Sequence, residues 1–303
     1  MQFLYFLEKI RVPVLNEFML AVTTLGEETA FLVIALILFW CVDKYIGYYT
    51  LSVGFVGTLA NQFLKLWFRI PRPWVLDENF TILEQAREAA SGYSFPSGHT
   101  QSAVGTFGSI ACVTKKKIIR IIAIVIAVLV PISRMYIGVH TPLDVVVSVA
   151  IALLLVFVFR PLILGQDHKH MPVLFGIMLL LAVGYLCFVE FYPFPQDIDP
   201  HNYESGLQNA YTLLGSLLGM LVVYWFDEKW LNFKTNAVWW AQIIKVVVGL
   251  VLVLVIKSGT KPLLNMLLGE YFGRAVRYFL VVVFAGILWP MTFGWFSKLG
   301  KKE

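Results

Sequence analysis

Apolar runs close to the length of a bilayer crossing recur along most of this chain, more than a soluble core of its size could bury. About 20 predominantly apolar residues span the hydrocarbon layer as a helix. Runs approaching that length occupy 28–42, 46–67, 98–113, 118–133, 142–164, 172–192, 206–226, 237–257 and 276–296. Hydrophobic residues make up 59% of the 303 positions and charged ones only 14%, with a mean hydropathy of +0.76. A membrane barrel would instead show short segments of alternating polarity. The expected fold class is therefore all-α, a polytopic integral membrane protein with about nine transmembrane helices.

Residues 1–24 mix apolar side chains with Glu8, Lys9, Arg11 and Glu17, which predicts an amphipathic helix lying on the interface and interrupted near Pro13. Because Glu8, Lys9 and Arg11 break the first apolar stretch, no cleavable leader is expected. Nine spans put the termini on opposite faces. One face then holds Lys44, Lys115, Lys116, Lys117, Arg120, Arg160, Lys169, Lys229, Lys234, Lys298, Lys301 and Lys302, against Asp43, Asp167, Asp227, Glu228 and Glu303. Lys and Arg favour cytoplasmic loops. The other face carries eleven cations, so the raw excess is only twelve to eleven; it widens once Lys65, Arg72 and Arg134 are set aside as site residues, and it predicts a multi-pass protein of the cell membrane. The face carrying the 68–97 loop would then be extracytoplasmic. The net charge of +5 is thus a topology signal, and no nucleic-acid partner is expected. Cys41, Cys112 and Cys187 sit inside apolar runs as small buried hydrophobes rather than metal ligands or disulfide partners.

Three short clusters break the apolar pattern on the same side. The first, Lys65 to Pro73, ends the second span, with Pro71 and Pro73 stopping the helix. A flexible lysine and a forked arginine, Arg72, two turns apart can grip one phosphate from two sides; taken alone, they could equally be interface anchors. In the second, Pro96-Ser97-Gly98-His99 precedes an apolar helix. A helix start presents free N–H groups and positive dipole to an anion, and Gly98 allows close approach. A plain cap beside a surface histidine would look the same. The third runs Ser133-Arg134, then His140, then Asp144. His140 and Asp144 are four apart and share a helix face. A carboxylate on one ring nitrogen fixes the tautomer and leaves the other as a nucleophile.

Together these clusters resemble the type 2 phosphatidic acid phosphatase superfamily of membrane lipid phosphatases. Its pattern is Lys, six residues, Arg-Pro; then Pro-Ser-Gly-His; then Ser-Arg, five residues, His, three residues, Asp. Lys65, Arg72-Pro73, Pro96 to His99, Ser133-Arg134, His140 and Asp144 match it without departure. The resemblance implies a catalytic core over 1–164. Lys65, Arg72, Arg134, Ser97 and the Gly98 amide would hold phosphate. His140 would attack phosphorus to form a phosphohistidine, Asp144 would orient it, and His99 would protonate the leaving oxygen and then help activate water. No metal-ligand set is visible, and no cofactor is implied. The same clusters occur in vanadium-dependent haloperoxidases, but nine apolar spans point away from those.

The expected reaction is metal-independent hydrolysis of a lipid phosphomonoester or diphosphate: a polyprenyl diphosphate, a phosphatidyl phosphate or a sphingoid phosphate. The alternatives are a lipid-to-lipid phosphotransferase, or a transporter that uses the site only to bind headgroups. Membrane lipids are the other expected partners. The loop 74–95 is long enough to cap the site, with Asp77, Glu78, Glu84, Arg87 and Glu88 as its solvated face. Residues 165–303 add four spans of unassigned role, carrying Glu190, Gln208, Asn209, Gln242 and Lys245. Snorkelling or structural hydrogen bonds would account for these, although intramembrane polar groups can also mark function. Arg274 and Arg277 precede the last span, as anchors or headgroup contacts. Gly215 and Gly219 have small-residue packing spacing, which suits a tight helix pair or a homodimer seam.

Overall fold

The structure, a computed structural model, describes residues 1–87, 90, 92–165, 168 and 170–299. Glu88, Asp167, Lys169, Lys301, Lys302 and Glu303, counted above as loop charges, lie outside the described residues. All regular structure among the described residues is helical. In chain order it comprises α1 (Gln2–Lys9), α2 (Pro13–Thr24), α3 (Glu28–Ile37), α4 (Lys44–Phe68), α5 (Pro73–Leu76), α6 (Gly98–Val113), α7 (Lys117–Tyr136), α8 (Pro142–Leu164), α9 (Met171–Phe191), α10 (Pro200–Phe226), α11 (Trp239–Leu268), α12 (Glu270–Val283) and α13 (Phe293–Phe296).

Each apolar run named above is helical. Among the described residues, six helices are long and apolar enough to cross a membrane: α7, α8, α9, α10 extended to Leu231, α11, and α12 extended to Phe296. A seventh span arises if α2 and α3, bent by 53° at their junction, are counted together. The 25-residue α4 and the 16-residue α6 fall outside that set. Both bear polar groups, such as Asn61 and Lys65 on α4 and His99, Gln101 and Ser109 on α6. Two of the four helices that carry the site, α4 and α6, thus have diluted apolar character, whereas α7 with Arg134 and α8 with Asp144 are strongly apolar spans. The N-terminal segment divides at Pro13 into two helices, α1 and α2.

The chain forms two compact units. The first comprises residues 1–34, 49–161 and 194–206. Its core packs Val22 of α2 with Ala103 and Phe107 of α6 and Ala123 and Val130 of α7. The opposite side of α7 is left to lipid: Ile118, Ile122, Val125 and Val128 are exposed, as an unpartnered apolar stripe on a membrane helix should be. The 74–95 loop is held down. Phe80 and Ile82 pack on Leu4, and Ala86 and Ala90 pack on Met19 and Tyr136. Arg11 donates to the Tyr136 carbonyl (3.0 Å) and the Thr81 carbonyl (2.9 Å). Tyr5 donates to Asp77 (2.8 Å), and Glu84 pairs with Arg87 at the surface.

Gly26, between α2 and α3, touches the start of α6. A β-carbon there would lie 2.7 Å from the His99 carbonyl oxygen, so only glycine lets the α2–α3 bend approach this closely.

The second unit comprises 35–48, 162–193 and 207–303. Lys245 of α11, fully buried, donates to the carbonyls of Trp40 (2.7 Å) and Thr235 (3.0 Å) and lies 4.3 Å from the Phe293 ring centroid. Gln242 donates to the Thr235 carbonyl at 2.8 Å, and Glu190 accepts from Tyr211 at 3.0 Å. These intramembrane polar groups therefore have structural partners. Lys44 forms a buried pair with Asp227 at 2.7 Å. Gly215 and Gly219 of α10 meet α12 within the chain, against the Ala275 backbone and Val282 respectively.

Candidate active site

The three sequence clusters converge in the first unit because four chain breaks occur on one side of it. α4 ends where Arg69 takes a positive φ of 50° ahead of Pro71 and Pro73, so Arg72 leaves the helix in extended conformation (φ −69°, ψ 156°). α6 starts under its cap: the Ser97 hydroxyl accepts from the Thr100 amide at 3.4 Å, an ordinary N-cap. The α7–α8 turn uses Gly138 at φ +89° and brings His140 back between the two helices. The fourth break is Gly92-Tyr93-Ser94, braced by Asn202, whose side-chain oxygen accepts from the Tyr93 amide at 2.9 Å.

α8 begins with a reciprocal cap. The Thr141 hydroxyl accepts from the Asp144 amide (3.3 Å), and Asp144 Oδ2 accepts from the Thr141 amide (2.7 Å). This is the arrangement of a capping box, with aspartate in the third helical position. The sequence could be read as making Asp144 either a helix-terminal charge or the partner of His140; one atom serves both. Asp144 Oδ2 also accepts from the Ser94 hydroxyl (2.5 Å) and lies 3.4 Å from His140 Nδ1. Ser94 Oγ itself stands 3.5 Å from that nitrogen.

Arg72 Nη1 stands 3.0 Å from His140 Nε2 and 3.5 Å from Nδ1, nearer the nitrogen that does not face the carboxylate. An arginine only donates, so Nε2 carries the lone pair and Nδ1 the hydrogen. Burial, reinforced by Arg72, Arg134, Lys65 and His99, holds the His140 pKa well below the ordinary histidine value. The imidazole is therefore neutral at neutral pH, with its lone pair turned toward the cations.

Arg72 is further fixed through Nε to the Gly92 carbonyl (2.9 Å) and through Nη1 to the Val139 carbonyl (2.9 Å). Burial lowers its pKa to about 10, which leaves it charged at neutral pH. Lys65 donates to the Tyr93 carbonyl at 2.6 Å. Arg134, 2% exposed, donates to the Thr23 hydroxyl at 2.8 Å, and its Nε has no partner among the described residues. His99, partly buried, lies in the field of Arg134, Arg72 and Lys65. The Ser97 amide donates to the Asp144 carbonyl at 3.3 Å, tying α6 to α8. All eight site residues read from the sequence thus lie in one unit, around three cations.

Several participants were not legible. Ser94 and Thr23 hold Asp144 and Arg134, but a lone serine or threonine has no distinguishing pattern. Asn61 stands one turn before Lys65. Its amide is buried without a hydrogen-bond partner among the described residues, and its oxygen is 3.7 Å from where a β-carbon on Gly98 would sit. Its four-residue spacing from Lys65 was the available signal. Among the described residues, no three His, Cys, Asp or Glu side chains form a metal-ligand group.

The arrangement is a buried imidazole with a carboxylate at one ring nitrogen, set against a cluster of cations, which suits the handling of a phosphoryl group. Comparison with known proteins agrees. Residues 44–167 match the PAP2 superfamily, and residues 211–302 match the transmembrane extension of PAP2 superfamily phosphatases. The chain is 36% identical to phosphatidylglycerophosphatase B of Bacillus subtilis over 53% of its own length and 79% of that protein. It is 32% identical to the undecaprenyl-diphosphatase BcrC of the same organism (35% of this chain, 52% of that protein). It is 24% identical to human sphingosine-1-phosphate phosphatase 2 (67% and 50%). The chain spans about half the length of these last two. Among solved structures, the crystal structure of a transmembrane PAP2-type phosphatidylglycerolphosphate phosphatase from Bacillus subtilis aligns with a TM-score of 0.47 and 32% identity, covering 55% of this chain and 85% of that one. The chain belongs to the PAP2 superfamily. It is a multi-pass membrane protein and, within that superfamily, a lipid phosphate phosphatase.

Proposed function

We propose that this protein hydrolyses a lipid phosphomonoester or diphosphate through a phosphohistidine on His140, without a metal. The observation that carries the reading is the setting of the His140 ring, with Asp144 and Ser94 at Nδ1 and Arg72 Nη1 closer to Nε2 (3.0 Å) than to Nδ1 (3.5 Å). On substrate binding, Arg72 transfers its donation from Nε2 to a phosphate oxygen, and Lys65 and Arg134 take others. Nε2 then bonds to phosphorus as the P–O bond to the lipid breaks. Asp144 stabilises the cationic ring. With the negative charge of the bound phosphate offsetting the cations around it, His99 enters the step protonated; it gives that proton to the departing oxygen, then takes one from the water that cleaves the P–N bond, releasing inorganic phosphate and restoring both histidines. Ser97 and the Gly98 amide add donors at the start of α6. The relatives act, by name, on a phosphatidylglycerophosphate, a polyprenyl diphosphate and a sphingoid phosphate, so all three classes belong in the substrate panel.

The test is rapid quenching of purified protein with a phosphorus-labelled lipid phosphate in the presence of chelator. An acid-labile, base-stable phosphoprotein mapping to His140, with phosphate release unaffected by chelator, is expected. Label on serine or aspartate, or loss of turnover with chelator, would overturn the mechanism. A phosphotransferase would instead deliver the label to added lipid alcohol.

Ser94 is expected to act through Asp144. Ser94→Ala removes a hydrogen bond to a buried carboxylate, worth roughly 1.5–3 kcal/mol, and should lower kcat about 10–100-fold with little change in KM. Unchanged kcat would show that the Thr141 cap orients Asp144 alone.

We further propose that the site faces the extracytoplasmic side of the cell membrane, with nine crossings and α1–α2 on the interface; the cation distribution of the loops supports the orientation. In a variant lacking the native cysteines, a cysteine at the exposed Glu78 should react with an impermeant thiol reagent in intact cells, and one at the exposed Lys116 should not. The reverse pattern would invert the orientation. A homodimer, if one forms, uses surfaces other than Gly215 and Gly219, which α12 occupies.

A further inference from the structure

The catalytic site leaves one pair of cations unused. Arg274 and Arg277 stand three residues apart on α12 and share a helix face. Arg277 is 4% exposed, and its Nε and Nη1 have no hydrogen-bond partner among the described residues. The ion pairs among those residues involve Lys44, Arg87 and His140, and neither arginine of α12. Both guanidinium groups face the Tyr278 ring, at 5.8 Å and 5.6 Å from its centroid. Arg274 Nε donates to the Thr212 hydroxyl of α10 at 2.8 Å. Here α10 and α12 are in backbone contact through Gly215 and Ala275.

Glu270 of the same helix acts on Arg277 through its field but forms no ion pair with it; burying a guanidinium with no counter-charge in contact is costly, and arginines inside membrane helices are rare. Snorkelling to water is the usual escape, but Arg277 is buried. Arg134 in the catalytic site shows the same condition, 2% exposed with a buried nitrogen unsatisfied, and there the partner under the proposed function is phosphate. We propose that Arg274 and Arg277 form a second anion-binding site, in the transmembrane extension, for a phosphate group. Two forked cations with an adjacent hydroxyl match its oxygens. The group comes either from the headgroup of an anionic phospholipid or from free inorganic phosphate. The contacts at hand, Thr212 and Tyr278, include no oriented imidazole, so the site holds its anion without cleaving it.

The test uses the delipidated full-length protein in non-ionic detergent, with Tm read against added phosphatidylglycerol, phosphatidylcholine or orthophosphate. The proteins compared are wild type, His140→Ala, Arg274→Met and Arg277→Met. Without added anion, Arg277→Met should melt no lower than wild type, because an unpaired buried charge has been replaced by an apolar chain of similar length. Phosphatidylglycerol or orthophosphate should raise the Tm of wild type and of His140→Ala. The half-saturating concentration should rise about tenfold or more in both α12 variants. A response to the lipid alone identifies a headgroup site, and a response to orthophosphate identifies free phosphate. The proposal fails if Arg277→Met melts below wild type without anion. It also fails if the α12 variants respond like wild type, if phosphatidylcholine stabilises as well as phosphatidylglycerol, or if no anion shifts the wild-type Tm.

Discussion

His140→Ala is expected to abolish turnover and the phosphoenzyme together on every substrate, whereas His99→Ala should recover part of its activity when the leaving group is good. The two outcomes separate because the proposed mechanism gives the histidines different bonds. In that mechanism His140 supplies the lone pair that attacks phosphorus. His99 supplies a proton to the departing oxygen. A lipid alkoxide needs that proton; a nitrophenolate scarcely does. General acid catalysis contributes about 10²–10⁴-fold, so His99→Ala should lose that factor on a lipid phosphate and regain much of it on nitrophenyl phosphate. The measurement is the mutant-to-wild-type rate ratio on both substrates, with binding determined separately. Equal losses by both variants on both substrates, or rescue of His140→Ala, would reverse or remove the assignments.

Arg72→Lys and Arg134→Lys keep the charge and lose the fork. Arg72 uses its geometry fully: Nε to Gly92 and Nη1 to both Val139 and His140. A lysine ammonium cannot hold these contacts and a phosphate oxygen in one plane. Removing a preorganised donor to transition-state charge typically costs about 10²–10³ in kcat, and each substitution should fall in that range with the fold intact. Thermal melts and kcat measured side by side decide it. Near-wild-type turnover in both variants would take these arginines out of the transition state.

The sequence revealed the site better than it revealed the site's supports. Lys65, Arg72, His99, Arg134, His140 and Asp144 were legible because charge within apolar runs is expensive and therefore informative, and because their spacings follow helical geometry. Ser94, Thr23 and the carbonyls of Gly92 and Tyr93 were not, since each holds a charged residue far away in the chain. The apolar runs located every major helix, yet α4 and α6 are less apolar or shorter than an ordinary span. Their polar faces serve the site, which average hydropathy cannot distinguish from a weak span. The bend between α2 and α3 likewise depends on a tertiary contact, Gly26 against His99, that no local pattern announces.

Asp144 carries a consequence for how this enzyme could decay. The oxygen that faces His140 also closes the first turn of α8, through the Thr141 amide. A lineage released from selection for turnover can discard His140 or His99 at little structural expense. It cannot discard the carboxylate as freely, because α8 would lose its cap. Inactive descendants of this architecture should therefore retain aspartate at this position after the nucleophile has gone. A retained aspartate alone would then be a poor sign of activity, and a retained histidine a good one.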